Sequence, residues 1–210
     1  MSLKVKICGI TSLADALVAI DAGADALGFV FWEKSPRYID PADAAHITCE
    51  LPPFVKTVGV FVNEAPEVIR DTIEAAGIDC VQLHGDETPQ DANEVARITG
   101  APVIKALRMG GPAGVKELEA YKVSALLLDT YKKGTPGGTG ETFDWTLALE
   151  AKAAGRIILS GGLTPHNVAK AVATVRPYAV DVSSGVEAAP GRKDADKVRM
   201  FIEEARKAAP

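Results

Sequence analysis

The sequence predicts an α/β fold, a closed barrel of eight parallel strands each followed by a helix, in one domain spanning residues 1–210. Three observations carry that prediction. Short apolar runs alternate with amphipathic stretches at a repeat of about 25 residues, a pattern that calls for parallel strands joined by right-handed crossovers. No long linker interrupts the alternation, and eight units close into a (β/α)₈ TIM barrel near the short end of that fold's size range. The turn after the first strand reads CGIT, without the GxGxxG fingerprint that an open doubly wound sheet would use for a dinucleotide.

Taken in order, the strands are KVKIC (4–8), ALGFVF (26–31), TVGVF (57–61), CVQLH (80–84), PVIKAL (102–107), ALLLD (125–129), IILSG (157–161) and AVDVS (179–183). In the first, period-two alternation puts Lys4, Lys6 and Cys8 on one face and Val5 and Ile7 on the other. Continued around the ring, the alternation aims Lys6, Lys105 and Asp181 into the barrel, as structural ion pairs or, for Asp181, as a group that orients a substrate. Between strands, LADALVAIDAG places Leu13, Leu17 and Ile20 on one stripe and closes at Gly23. PEVIRDTIEAAG runs from Pro66 to Gly77 in the same manner. TPHNVAKAVATV offers Thr164 as N-cap and Pro165 as first helical residue. GGPAGVKELEAY makes a short, glycine-broken helix, and DADKVRMFIEEARKA forms the last one.

Composition narrows the function. The net charge of -5 gives no global attraction for nucleic acid or an anionic membrane, so an anionic ligand must be held by local groups. Cys8, Cys49 and Cys80 are odd in number and widely spaced, with neither a CxxC pair nor a disulfide framework, which fits a reducing cytoplasm. No apolar run approaches a membrane span and the first residues already read as a strand, so no signal peptide is expected.

Catalytic groups of such a barrel come from the carboxyl ends of its strands. Those ends carry Cys8, Phe31 with the loop WEKSPRY, His84 with GDE, Asp129, Ser160 with GGL, and Ser183 with SGVE. Gly161 and Gly162 after the seventh strand, with Ser183, Ser184 and Gly185 after the eighth, expose backbone N–H groups where phosphate commonly sits in these barrels. Asp129 leaves an apolar strand, where partial desolvation favours a protonated carboxyl and hence a general acid. Cys8 needs the opposite shift to serve as a base, and Lys6 or a cationic intermediate can supply it. Arg37 presents a planar fork suited to a carboxylate, or else makes a surface ion pair. His84 suits polar binding of substrate. GTPGGTGETFDW lacks the GK[ST] ending of a P-loop and reads as a lid, with Asp144 capping the next helix and Trp145 packing at its first turn. A metal centre of Cys8, His84 and Asp129 lacks ligand spacing, and a phosphate-binding module without catalysis remains the alternative from another class.

In order along the chain, KICGIT, GFVF followed by SPRY, VQLHGDE, LLDT, GGTGETFDW, GGL and VDVSSGVE resemble the motif set of the phosphoribosylanthranilate isomerase family of tryptophan biosynthesis. The resemblance covers nearly the whole chain. It implies a barrel that performs an Amadori rearrangement of N-(5-phosphoribosyl)anthranilate with no cofactor and no metal, while monomer and homodimer both stay open. By the same resemblance Cys8 is the general base, Asp129 the general acid and Arg37 the clamp on the anthranilate carboxylate. Indole-glycerol-phosphate synthase and the pentose-phosphate epimerases share the phosphate loops but not the cysteine and aspartate pair, and the synthase would use rim lysines such as Lys6 and Lys105.

Overall fold

The computed structural model describes residues 2–108, 118–129 and 145–209, apart from the side chains of residues 145–147. Its eight principal strands are β1 (Lys4–Cys8), β2 (Ala26–Val30), β3 (Lys56–Phe61), β4 (Cys80–Leu83), β5 (Val103–Arg108), β6 (Ala125–Asp129), β7 (Ile157–Ser160) and β8 (Ala179–Val182). They pair in parallel in chain order, and β8 returns to β1 to close the barrel. The described helices are α1 (Leu13–Asp21), α2 (Pro41–Thr48), α3 (Pro66–Ala76), α4 (Pro89–Thr99), α5 (Trp145–Ala151), α6 (Val168–Val175) and α7 (Ala195–Lys207). A small antiparallel hairpin, β9 (Glu187–Ala189) and β10 (Arg192–Lys193), follows β8.

Strand alternation divides the apolar residues into two sets. Val5, Ile7, Leu27, Phe29, Leu126 and Leu128 face the helices and build the larger core. Val58, Ile104, Ala106, Leu127, Ile158 and Ala179 fill the barrel interior. Each fully buried Leu, Ile, Val or Phe contributes about 1.5–3 kcal/mol of hydrophobic stabilisation, so apolar burial on both sides of the sheet holds the barrel together. Above the interior cluster, toward the carboxyl ends, Cys8 packs with Val30 and Val60. The interior is therefore a plug, and a ligand has access only to its rim.

Local signals end the elements where chemistry requires. Pro66 starts α3 and Gly77, at φ 65°, ends it with its N–H donating to the Ile73 carbonyl. Thr88 and Asp91 form a reciprocal capping box at the start of α4. Three expectations need correction. Helix α1 buries Ala16 and Ala19, whereas Leu13 and Leu17 are exposed; the alanine face permits a closer approach to the barrel, so it wins over the leucine stripe. Helix α6 begins at Val168, after Asn167, and neither Thr164 nor Pro165 opens it. Asn167 instead ties a turn, its Oδ1 accepting from the Thr164 N–H at 2.8 Å and its Nδ2 donating to the Gly162 carbonyl at 2.9 Å. The glycine-broken helix from residue 110 lies mostly outside the described residues, as do the lid, the Asp144 cap and the packing of Trp145.

Lys105 is the third correction. Ile104 and Ala106 occupy the interior, so Lys105 points outward, under the loop that follows β4. There its Nζ donates to Glu87 at 2.6 Å and to the Gly85 carbonyl at 2.8 Å. Glu87 in turn accepts from the backbone N–H groups of Asn63 and Gly85, and both ion-pair side chains are buried. The pair anchors the loop beginning at His84 from outside the barrel. Lys105→Ala leaves the Glu87 carboxylate buried without its cation, and urea unfolding should register a loss of about 3–5 kcal/mol.

Candidate active site

Cys8 ends β1 on the interior-facing parity, directly in register with Gly28 on β2. The absence of a side chain at Gly28 is what gives the sulfur its place, because a Cβ there would lie 2.7 Å from Cys8 Sγ. Gly9 follows at φ 76°, and a Cβ on it would lie 2.6 Å from Arg37 Cδ. The arginine stem thus crosses the backbone immediately after the thiol, and the break in alternation at CGIT makes room for it.

Below the thiol, Lys6 and Asp181 form an ion pair of 2.7 Å inside the barrel, with both side chains about 95% buried. Ser160 on β7 donates its hydroxyl to the second Asp181 oxygen at 2.9 Å. Burial opposes the Lys6 charge, but Asp181 outweighs it and Lys6 holds its proton more firmly than usual. Burial raises the Cys8 thiol above its ordinary 9.0, and the nearby Lys6 and Lys193 charges counteract part of that shift. The expected inward placement of Lys6 and Asp181 holds, with Asp181 4% exposed beneath the mouth.

Asp129 ends β6 on the parity of Ala125 and Leu127, both interior residues. It therefore stands at the same end of the barrel as Cys8 and on the same inward side. His84, just past β4, brings Nε2 to 3.4 Å from Asp129 Oδ2. Its Nδ1 lies 2.9 Å from Gln82 Nε2; with the amide donating, the imidazole proton resides on Nε2 and faces the carboxylate. Gln82 is fully buried on β4, and its Oε1 has no partner among the described residues. Arg108, whose backbone is in register with Asp129, adds a cation at this side of the rim. It lines a cavity of about 250 Å³ with His84, Glu87 and Tyr121.

Arg37 is half-buried and its fork is engaged. Nε and Nη2 each donate to a separate oxygen of Glu187 at 2.7 Å. Glu187 also accepts from Lys193 Nζ at 3.0 Å. The two cations outweigh the effect of burial and hold the Glu187 carboxyl below its usual range. Sequence reasoning missed Glu187, Lys193, Gln82 and Arg108; the closing VE of VDVSSGVE was the only signal for the first of these.

The two glycine loops meet. A Cβ on Gly185 would collide with the Leu163 carbonyl, which brings the turn after β8 against the turn after β7. Gly161 and Gly162 both adopt positive φ, 81° and 65°. Residues Ser184–Val186 form one turn of 3₁₀ helix directly after Ser183. No group of three His, Cys, Asp or Glu among the described residues is placed to hold a metal, so Cys8, His84 and Asp129 do not assemble into one. No helix among the described residues is long and apolar enough to cross a membrane. A wider cleft of about 570 Å³ runs along α7 past Arg199, Ile202 and Arg206 on the outer surface.

Comparison with known proteins gives the same architecture a family. The model of N-(5'phosphoribosyl)anthranilate (PRA) isomerase matches residues 5–204. A protein of Geobacter sp. (strain M21), N-(5'-phosphoribosyl)anthranilate isomerase, is 59% identical over 204 residues, 97% of this chain and 98% of its own. A solved phosphoribosyl anthranilate isomerase in complex with reduced 1-(o-carboxyphenylamino)-1-deoxyribulose 5-phosphate superposes with TM-score 0.85 at 46% identity, covering 98% of this chain and 99% of its own. Monomers generated from the dimeric phosphoribosylanthranilate isomerase of Thermotoga maritima give TM-score 0.85 at 45% identity, covering 97% and 98%.

Proposed function

The chain belongs to the N-(5'-phosphoribosyl)anthranilate isomerase family and is an isomerase of that substrate, and we propose that Cys8 and Asp129 carry its proton transfers. One observation supports this assignment above the others: the two residues end β1 and β6 on the inward parity, at the same rim of the closed barrel. An aldosylamine needs a proton on its ring oxygen and the loss of a proton from the adjacent sugar carbon. A carboxyl and a thiol at one mouth meet both needs.

In the proposed sequence Asp129 gives its proton to the ribose ring oxygen. The C1–O bond breaks and the nitrogen lone pair forms a protonated Schiff base. Cys8, as thiolate, takes the proton from C2; that electron pair forms the C1=C2 double bond while the C1=N π pair returns to nitrogen, and the resulting enolamine ketonises to 1-(2-carboxyphenylamino)-1-deoxyribulose 5-phosphate. The cationic intermediate favours the thiolate just when it is needed, together with Lys6 and Lys193. His84 and Asp181 complete the polar lining on the substrate side. Gly161, Gly162, Ser183, Ser184 and Gly185 take the phosphate at the junction of the last two loops, and Arg37 takes the anthranilate carboxylate. The substrate is a small sugar phosphate, no nucleic acid or membrane is involved, and the chain works in the cytoplasm. The dimeric relative from Thermotoga maritima favours a homodimer.

Loss of the fluorescence of supplied N-(5-phosphoribosyl)anthranilate, followed with and without the purified chain, tests the whole reading. The expected result is a first-order decay that requires the protein and is unaffected by a strong chelator. Stoichiometric binding without turnover would sink it.

A further inference from the structure

Glu187 is a heavily engaged acidic side chain near the mouth, with four hydrogen bonds to its carboxylate, and the proton transfers do not use it. It leaves the turn after β8 and reaches Arg37, 150 positions earlier in the chain. One carboxylate oxygen accepts Arg37 Nε and the other Arg37 Nη2, both at 2.7 Å. The first oxygen also accepts Lys193 Nζ at 3.0 Å and the Gly191 N–H at 3.3 Å. Its side chain is 5% exposed and that of Lys193 is fully buried.

Two features set this cluster apart from an ordinary ion pair. First, two cations share one carboxylate, so the cluster carries one uncompensated positive charge. Second, Glu187 occupies only the side edge of the guanidinium. Of the five N–H donors on an arginine, two are spent here, and Nη1 has no partner among the described residues. The end-on edge of Nη1 and Nη2 is still able to accept a second carboxylate in the planar, two-point manner that guanidinium favours. The Arg37 stem crosses Gly9, the residue directly after Cys8, so the side chain reaches the same rim as the thiol.

We propose that Glu187 is a positioning residue that acts through Arg37, locking the guanidinium so that its remaining edge receives the substrate's carboxylate. The inference rests on the reading of Arg37 as the carboxylate clamp. A side chain with four rotatable bonds would otherwise sample many orientations, and each would have to be frozen on binding. Glu187 freezes it in advance, and Lys193, held to Glu187 and to the Ser183 carbonyl, fixes Glu187 to the loop after β8. The substrate's carboxylate then supplies the missing negative charge.

The test compares N-(5-phosphoribosyl)anthranilate with N-(5-phosphoribosyl)aniline, which lacks the carboxylate, in the parent, Glu187→Gln and Arg37→Ala. The parent should prefer the carboxylated compound. Glu187→Gln should raise KM for that compound about 10-fold with kcat little changed, and leave kcat/KM for the aniline compound unaltered. Arg37→Ala should abolish the preference. Should Arg37→Ala keep the preference, the clamp reading itself fails and this inference with it. Should Arg37→Ala lose it while Glu187→Gln keeps or improves it, Glu187 is a competitor or bystander and only the inference is overturned. An equal loss on both compounds would show a purely structural role and overturn it too. If Glu187→Gln does not fold, Glu187→Asp takes its place. It keeps the charge beside Lys193 but is one methylene short of the two-point contact, and the same loss of preference is expected.

Discussion

Cys8→Ala should turn over N-(5-phosphoribosyl)anthranilate about 10²- to 10⁴-fold more slowly than the parent, the range lost with one positioned proton transfer. KM should change little, because the small thiol lies flat over Gly28 and adds little binding area. Steady-state fluorescence kinetics separate the two parameters. The same residue predicts a pH dependence with a defined sign. Burial raises the thiol above 9.0, so in the free protein the thiolate fraction is small at neutrality and grows as pH climbs through 9 and beyond. Inactivation by iodoacetamide should therefore accelerate across that interval, while prior binding of a product analogue slows it. The exposed Cys49 reacts without effect on turnover and serves as the internal control. Cys80, pushed up to about 11 by burial, should stay largely unreactive near neutrality. Inactivation that is fastest at acid pH would contradict the assignment.

Asp129→Asn should cause a comparable fall in kcat, about 10²- to 10⁴-fold, for a different reason. The amide keeps the shape of the carboxyl and can still contact His84, but it has no proton acidic enough to open the ribose ring. A substrate whose ring is already open bypasses the need for that proton. Reaction of the preformed Schiff base should then proceed in Asp129→Asn at close to the parent rate and stay impaired in Cys8→Ala. If both variants behave alike on the open form, the division of labour between acid and base is wrong. His84→Gln should lower kcat less than either, since His84 reaches the reaction only through Asp129 or the substrate.

Much of this arrangement was legible before any fold was built, and the misses have physical causes. The eight strands announced themselves as apolar runs, and their ends delivered Cys8, Asp129 and the glycine loops to one rim. The phase of β5 was not legible: in PVIKAL every neighbour of Lys105 is apolar, and a strand buried on both faces carries no alternation to show which way the lysine turns. In α1, leucine and alanine stripes both fall at helical spacing, and only packing against the barrel chooses between them. Glu187 and Lys193 escaped notice because their meaning depends on Arg37, far away in the chain, and no local pattern encodes such a pairing. Gln82 was hidden in VQLH as a polar residue within a strand, informative only once His84 and Asp129 were known to be neighbours.

The bond between Lys6 and Asp181 joins residues separated by 175 positions, across the seam where the first strand meets the last. At synthesis rates of about 5–20 residues per second, the lysine waits roughly 10 to 35 s on the ribosome before its counter-charge exists. A half-made ring therefore has an ammonium with no acceptable burial place, which keeps the nascent interior hydrated and unsealed. Final closure is left to the arrival of the carboxyl-terminal quarter, so truncated chains should stay open and be cleared by proteases instead of persisting as stable partial barrels.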